Sequence, residues 1–354
     1  MNRLRVSSYL LVVLTLSAAD LSWAQPGYPP ANFGERASQS LAQLRVKLPV
    51  RLYWGYLVIV EGSIGSRNKL SFLIDTGACP SAIDRKIAHD LKLAEQPARM
   101  NLQNKSVPTH LVVLPSVILG PIRAESLPVL TEDLSFLQKA LGYKVDAIVG
   151  MDVLRKSSFT INYRTKEMLF GPVETLTYSA PFTTELPIVT IPMEFQDQQL
   201  RLVVDTGTSD LTLFRSRMPD SAIFEILGTE KTANVSGTVR LRKVRIPEVY
   251  LGKETIGAQI ASVVDDHKDD GDDFDGVLGI RGPQFWKIAF DFEHRRFSWE
   301  LPAVDSPPTV GDYDDVRLLP KGLAIAPEEA AWVYQNRGPM AAEANLPARQ
   351  FLVQ

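Results

Sequence analysis

Two Asp-Thr-Gly triplets, Asp75-Thr76-Gly77 and Asp205-Thr206-Gly207, are the residues of this chain best suited to chemistry, and they stand 205 − 75 = 130 positions apart. Each aspartate follows three apolar residues, Phe72-Leu73-Ile74 in one case and Leu202-Val203-Val204 in the other. A segment apolar on both sides reads as a buried strand, and a carboxylate at its end is costly unless it has partners. Threonine supplies a hydroxyl that can bond across to a matching turn. Glycine permits a tight backbone with its amide aimed at the carboxylate. One such triplet is readily a structural turn; two at matched positions are the material for acid–base chemistry.

Other chemistries are poorly served. A single cysteine, Cys79, excludes an intramolecular disulfide framework and any multi-cysteine zinc site. His89, His110, His267 and His294 are scattered, with no pair at helical metal-binding spacing. No Gly-x-Ser-x-Gly, phosphate-binding loop or dinucleotide fingerprint is present. A net charge of −3 gives no basic face for nucleic acid, so none is expected as a partner. With 45% hydrophobic and 22% charged residues, the 354-residue chain can build a sizeable core, divided between two domains or lobes.

The elements that position the triplets are themselves duplicated. VDAIVGMDVL from Val145 recurs as FDGVLGIRGP from Phe274, an offset of 274 − 145 = 129. Leu119-Gly120 recurs as Leu251-Gly252, at 251 − 119 = 132. Three landmarks in one order at nearly constant spacing mean one unit used twice. The copies are placed at 48–172 and 184–301, joined by an interlobe linker at 173–183. Their texture is β: LPVRLYWGYLVIV and LPIVTIPMEF are strand-like, and SFTINYRTKEMLF and KIAFDFEHRRFSW read as hairpins with one buried face. Phe72, Ile74, Ile148, Leu202, Val204 and Val277 are expected in the core. The one clear helix candidate is SAIDRKIAHDLKL, with Ile83, Ile87 and Leu91 four apart and Ser81 as its cap.

The chain begins with Arg3 and Arg5, a short apolar run from Tyr9 to Ala19, and Ser22-Trp23-Ala24 before Gln25. This pattern predicts a signal peptide over 1–24 and export to the periplasm or beyond, with no stable membrane insertion after cleavage. Residues 25–47 read as an N-terminal linker, and 302–354 as a Pro-rich, acidic C-terminal tail with a short helix.

The apolar-apolar-Gly landmark falls 150 − 75 = 75 residues after the first aspartate and 279 − 205 = 74 after the second. In this the chain resembles the aspartic peptidases, in which Asp-Thr-Gly and a later hydrophobic-hydrophobic-Gly build each half of the site. DTGACPSAIDRKIAHDLKL with DAIVGMDVL is most similar to the retropepsin-like family, and DTGTSDLTLF to the second motif of pepsin-like enzymes. The resemblance implies an all-β fold with minor helices: two tandem β-barrel lobes related by a pseudo-twofold axis. It makes Asp75 and Asp205 the catalytic carboxylates around a shared water. Thr76, Gly77, Thr206, Gly207 and Thr208 would support the active-site loops, as would Ile148-Val149-Gly150 and Val277-Leu278-Gly279. Flap hairpins are expected over Arg99–Pro108 and Thr232–Val239, with Gln103, Asn104, Ser236 and Gly237 at the substrate. The implied partner is an extended polypeptide substrate, taken up by a monomer whose two lobes complete one site; no cofactor or metal is implied.

Two carboxylates about 3 Å apart share one proton. Thr208 places a hydroxyl after the second triplet where Ala78 follows the first, so Asp205 is expected to be the ionised partner and Asp75 the proton carrier. Cys79 reads as a small buried hydrophobe, Asp146 and Asp275 as structural, and the acidic stretch Asp265 to Asp275 as a solvated loop. A catalytically inactive peptide-binding or assembly module on the same fold is the alternative, as is a dimer in which each repeat pairs with another chain.

Overall fold

The computed structural model describes residues 10–11, 14–15, 45–102, 105–183, 186–196, 198–219, 222, 224–234, 237–264 and 274–302. The expected tail beyond 302, its helix, most of the acidic loop and the segment 16–44 lie outside them. The fold is mostly β, in sheets of ten, eight and six strands. Among the described residues no helix is long and apolar enough to cross a membrane.

The ten-stranded sheet is built on the first repeat. Leu57–Ile64 and Arg67–Ile74 pair antiparallel, and the second strand ends at Asp75. Ala147–Val149 lies parallel to Phe72–Ile74 and carries Ala82–Asp84 antiparallel on its other side. The eight-stranded sheet repeats this with Thr190–Phe195, Gln198–Val204, Gly276–Leu278 and Leu211–Phe214. Phe72, Leu73 and Ile74, like Leu202, Val203 and Val204, are buried on both faces of their strands, which is why each triplet follows three apolar residues. Phe72, Ile74, Ile148, Leu202, Val204 and Val277 are all buried, as expected. The Leu119-Gly120 and Leu251-Gly252 landmarks are the turns of two long hairpins, Lys105–Leu119 with Ile122–Glu132 and Gly237–Leu251 with Glu254–Val264.

The six-stranded sheet joins the repeats. Its order is Tyr178–Pro181, Arg296–Glu300, Lys287–Asp291, Phe159–Asn162, Glu167–Phe170 and Val46–Pro49. At its centre Phe159 pairs with Phe290, Thr160 with Ala289 and Ile161 with Ile288. Thr160 and Ala289 are each other's counterparts in the repeat (289 − 160 = 129), so the pseudo-twofold axis passes through that pair. The hairpins read from the sequence are both here, and they bury Phe159, Phe290, Phe297 and Trp299. Phe159 stacks on Phe290 at 4.8 Å and Phe297 on Trp299 at 5.6 Å. The two outer strands come from segments expected to be linker or its border, Val46–Pro49 and Tyr178–Pro181.

The helix candidate is shorter than expected. Ala82–Asp84 is a buried strand, and the helix spans Arg85–Asp90, capped by the Asp84 side chain accepting from the Lys86 amide. Ile83 faces the core from the strand and Ile87 from the helix, so their four-residue spacing came from two elements. Ser81, the expected cap, is engaged elsewhere.

Candidate active site

Asp75 and Asp205 sit where the two lobes meet, both fully buried. The apolar-Gly landmarks fix their backbones: the Asp75 amide donates to the Val149 carbonyl at 3.0 Å, and the Asp205 amide to the Leu278 carbonyl at 3.0 Å. The threonines lock the two loops reciprocally. Thr76 Oγ1 donates to the Val204 carbonyl at 2.7 Å and accepts from the Thr206 amide at 3.0 Å. Thr206 Oγ1 donates to the Ile74 carbonyl at 2.8 Å and accepts from the Thr76 amide at 3.1 Å. Every buried polar atom of the four groups is thereby satisfied across the axis.

The glycines let the carboxyls approach. A Cβ on Gly77 would lie 2.6 Å from Asp205 Cγ, and one on Gly207 would lie 2.8 Å from Asp75 Oδ2. Each loop therefore packs its glycine on the other loop's aspartate, which only a residue without a side chain allows. From the same glycines come amide donors, Gly77 to Asp75 Oδ1 at 3.0 Å and Gly207 to Asp205 Oδ1 at 2.6 Å. Ile148, Val149, Val277 and Leu278 are buried beneath the loops. Gly150 and Gly279 admit the backbones of Ala78 and Ser209, which a Cβ would meet at 2.2 Å and 2.4 Å.

The two carboxyls are alike in burial and unlike in donors. Thr208 Oγ1 donates to Asp205 Oδ2 at 2.6 Å. Ala78 offers nothing comparable, and Asp75 Oδ2 is buried with no donor reaching it among the described residues. Burial pushes Asp75 well above the ordinary carboxylate range, and the charge of Asp205 within hydrogen-bonding reach pushes it further. Asp205 is also raised by burial, but the Thr208 hydroxyl, Asp75 itself and the Gly207 and Gly77 amides oppose that rise. The Thr208 donor favours the charged form of Asp205, so a single proton shared by the pair is expected on Asp75.

Other residues brace the site that sequence reasoning did not single out. Ser81 donates through Oγ to Asp152 Oδ1 at 2.6 Å and through its amide to Oδ2 at 3.0 Å, while Gly150 N donates to Ser81 Oγ at 2.9 Å. Burial raises the Asp152 carboxyl, and burial with the Asp152 charge pushes the half-buried Cys79 thiol up to about 12. The counterpart of Asp152 in the second repeat is Arg281 (281 − 152 = 129), whose amide donates to the Ser209 carbonyl at 2.8 Å, so the Ser81–Asp152 bonds have no equivalent in lobe two. Lys243, on the second long hairpin, reaches Asp210 at 3.3 Å just past the second triplet. The buried Tyr163 hydroxyl is raised by burial and by the nearby charge of Asp205. Asp146 and Asp275 play matched roles: Asp146 Oδ2 accepts from Ser71 N at 2.9 Å and Asp275 Oδ2 from Arg201 N at 2.7 Å.

Two further hairpins stand where flaps were expected, Gln96–Leu102 with Lys105–Leu119 and Glu225–Asn234 with Gly237–Leu251. Gly237 opens its strand opposite Asn234. Gln103, Asn104 and Ser236, at the tips, lie outside the described residues.

Among curated proteins none matches the sequence. The model of the aspartyl protease family matches residues 60–153 and again residues 191–281, together more than half of the chain, with one triplet and one apolar-Gly landmark in each match. Two matches in tandem, each covering one half of a shared carboxyl pair, show that the chain belongs to the aspartyl protease family.

Proposed function

We propose that this chain is an exported aspartic endopeptidase that hydrolyses peptide bonds with a water activated by Asp75 and Asp205. The observation that carries the reading is the buried carboxyl pair with unequal donors, locked by Thr76 and Thr206 within one chain. Charged Asp205 takes a proton from the water as its oxygen attacks the substrate carbonyl carbon. Protonated Asp75 gives its proton to the carbonyl oxygen, producing a tetrahedral diol. Asp75 then takes back a hydroxyl proton while Asp205 passes its proton to the leaving nitrogen. The C–N bond breaks, and the pair returns to its starting state.

The reciprocal threonine bonds support a monomer in which two lobes complete one site, and the leader-like residues 1–24 support export to the periplasm or the medium. The test is cleavage of a peptide library with and without a statine-type transition-state inhibitor, using protein from an export-competent host. Inhibitor-sensitive cleavage that vanishes in Asp75→Asn supports the reading. A chain that binds peptides and never cleaves them would be the inactive binding module instead.

A further inference from the structure

Each lobe carries the same short row of side chains beside its catalytic loop, and the two rows are opposite in chemistry. In lobe one, Leu130 is flanked in the sheet by Ala82 and Leu111. In lobe two, Ser262 is flanked by Thr212 and Lys243. The offsets, 212 − 82 = 130, 243 − 111 = 132 and 262 − 130 = 132, are those of the repeat itself. Ladder partners share a face of the sheet, so each row presents three side chains to one side. Leu111 and Lys243 lie on the long strands that also form the flap hairpins. The lobe-one row packs with Ala78, directly after the first triplet, and with Met100 on the flap hairpin in one apolar cluster. The counterpart of Ala78 is Thr208 (208 − 78 = 130), so all four positions are apolar in one lobe and polar in the other.

The polar row is only partly satisfied from within the chain. Thr208 directs its hydroxyl to Asp205. Thr212 and Ser262 are each 3% exposed, and neither hydroxyl has a partner among the described residues. Asp210 stands where lobe one has Pro80 (210 − 80 = 130). Its Oδ2 accepts from Lys243 Nζ at 3.3 Å, and its Oδ1 has no donor among the described residues. The Lys243 and Asp210 side chains are 13% and 18% exposed, so the pair opens to solvent next to two buried hydroxyls. Buried polar atoms left in this state are costly until something bonds them. A cation entering here would meet Lys243, an anion would meet Asp210, and an apolar group would strand both hydroxyls. A neutral amide or hydroxyl group satisfies them without adding a charge.

We propose that Asp210, Thr212, Lys243 and Ser262 form a subsite for one substrate side chain on the lobe-two side of the carboxyl pair, and that this subsite selects a neutral hydrogen-bonding side chain, above all the amide of Asn or Gln. The inference rests on the peptidase reading for what the cleft does, and it adds a substrate class: an extended chain that brings an amide side chain to lobe two. The lobe-one row, apolar and packed against Met100, offers no such bonds.

The test measures peptide affinity with the full chain carrying Asp75→Asn, so that binding is read without turnover. The probes are synthetic Leu-rich peptides in which one position at a time holds Leu, Gln, Glu or Lys. At one position Gln should bind at least about tenfold tighter than the other three, because a site built to hydrogen-bond a side chain rejects one that cannot reply. Adding Thr212→Val and Ser262→Ala removes hydroxyls that bond nothing within the described chain, and the Gln preference should disappear. Asp210→Ala, a change at a partly exposed side chain, is the second variant and should reduce the same preference. Peptides bound without preference or not bound at all, a preference for Glu or Lys, or a Gln preference unmoved in both variants would overturn the inference. A Gln preference in binding, with no peptide cleaved by the unsubstituted chain, would overturn the peptidase reading and leave the subsite standing. Cleavage by the unsubstituted chain that is indifferent to Gln would do the reverse.

Discussion

Thr208 donates its hydroxyl to Asp205 at 2.6 Å, while its counterpart beside Asp75 is Ala78, which has no hydroxyl to give. One side-chain hydroxyl thus distinguishes the donors of the two halves of a duplicated site. Removing that donor in Thr208→Ala destabilises the Asp205 carboxylate and raises its pKa. The acid limb of the pH–rate profile should move to higher pH by about 1 unit, the equivalent of a charged hydrogen bond of roughly 1.5 kcal/mol. Ala78→Ser should move the limb down. An acid limb unmoved in both variants, with turnover retained, would refute the assignment of charge to Asp205.

Stability should carry the same signature. Asp75 is raised above its ordinary value in the fold, so its contribution is fully present below the ordinary carboxylate range and is lost as pH rises through the folded value. Melting temperature should therefore fall as pH rises through the ionisation of the pair. Asp75→Asn, which stays neutral, should flatten that fall, by about 1.4 kcal/mol for each unit by which the pKa is raised. Scanning calorimetry of both proteins across pH decides it.

Much of this was legible beforehand, because a duplication prints its own map. The six core residues followed from matching one repeat to the other, and the carboxyl pair with its threonine lock from the resemblance to the aspartic peptidases. Where the repeats diverge, the map gave less. Ser81 read as a helix cap because Ile83, Ile87 and Leu91 keep helical spacing, yet a three-residue strand shares part of that pattern. Its bond to Asp152 has no counterpart in lobe two, so nothing in the repeat pointed to it. The outer strands of the shared sheet, Val46–Pro49 and Tyr178–Pro181, are short and only partly buried, and short edge strands carry little pattern. The pairings of Leu10–Leu11 and of Leu14–Thr15 are made by backbone, which sequence composition does not record.

The threonine lock should be worth more than an ordinary pair of hydrogen bonds. Thr76→Ala leaves the Val204 carbonyl without its donor and the Thr206 amide without its acceptor, both in the buried centre. Two orphaned groups cost about 2–5 kcal/mol, and Thr206→Ala should cost a similar amount. Thr76→Ser keeps the hydroxyl and should restore most of the loss in denaturant unfolding. Equal stability of Ala and Ser variants would show that the hydroxyl contributes nothing.

The matched aspartates behind the landmarks make a milder prediction. Asp146→Ala and Asp275→Ala each strip an acceptor from one backbone amide, Ser71 or Arg201. Each should destabilise its lobe by about 1–3 kcal/mol while leaving the pH–rate profile in place. A displaced profile would mean that these residues reach the carboxyl pair.

Gly77→Ala tests the closeness of the two loops. Its Cβ would fall 2.6 Å from Asp205 Cγ, against a buried carboxyl with no room to retreat. Turnover should drop at least about a hundredfold, since a displacement of about 1 Å at the reacting groups is enough for that. Retained activity would place the loops farther apart than described here.

The central claim is that Asp75 and Asp205 of one chain form one site. The most direct measurement is library cleavage by Asp75→Asn, by Asp205→Asn, and by an equimolar mixture of the two. The account predicts no cleavage in any of the three. Activity in either single variant would contradict a shared pair, and activity restored on mixing would show that the site is completed between chains.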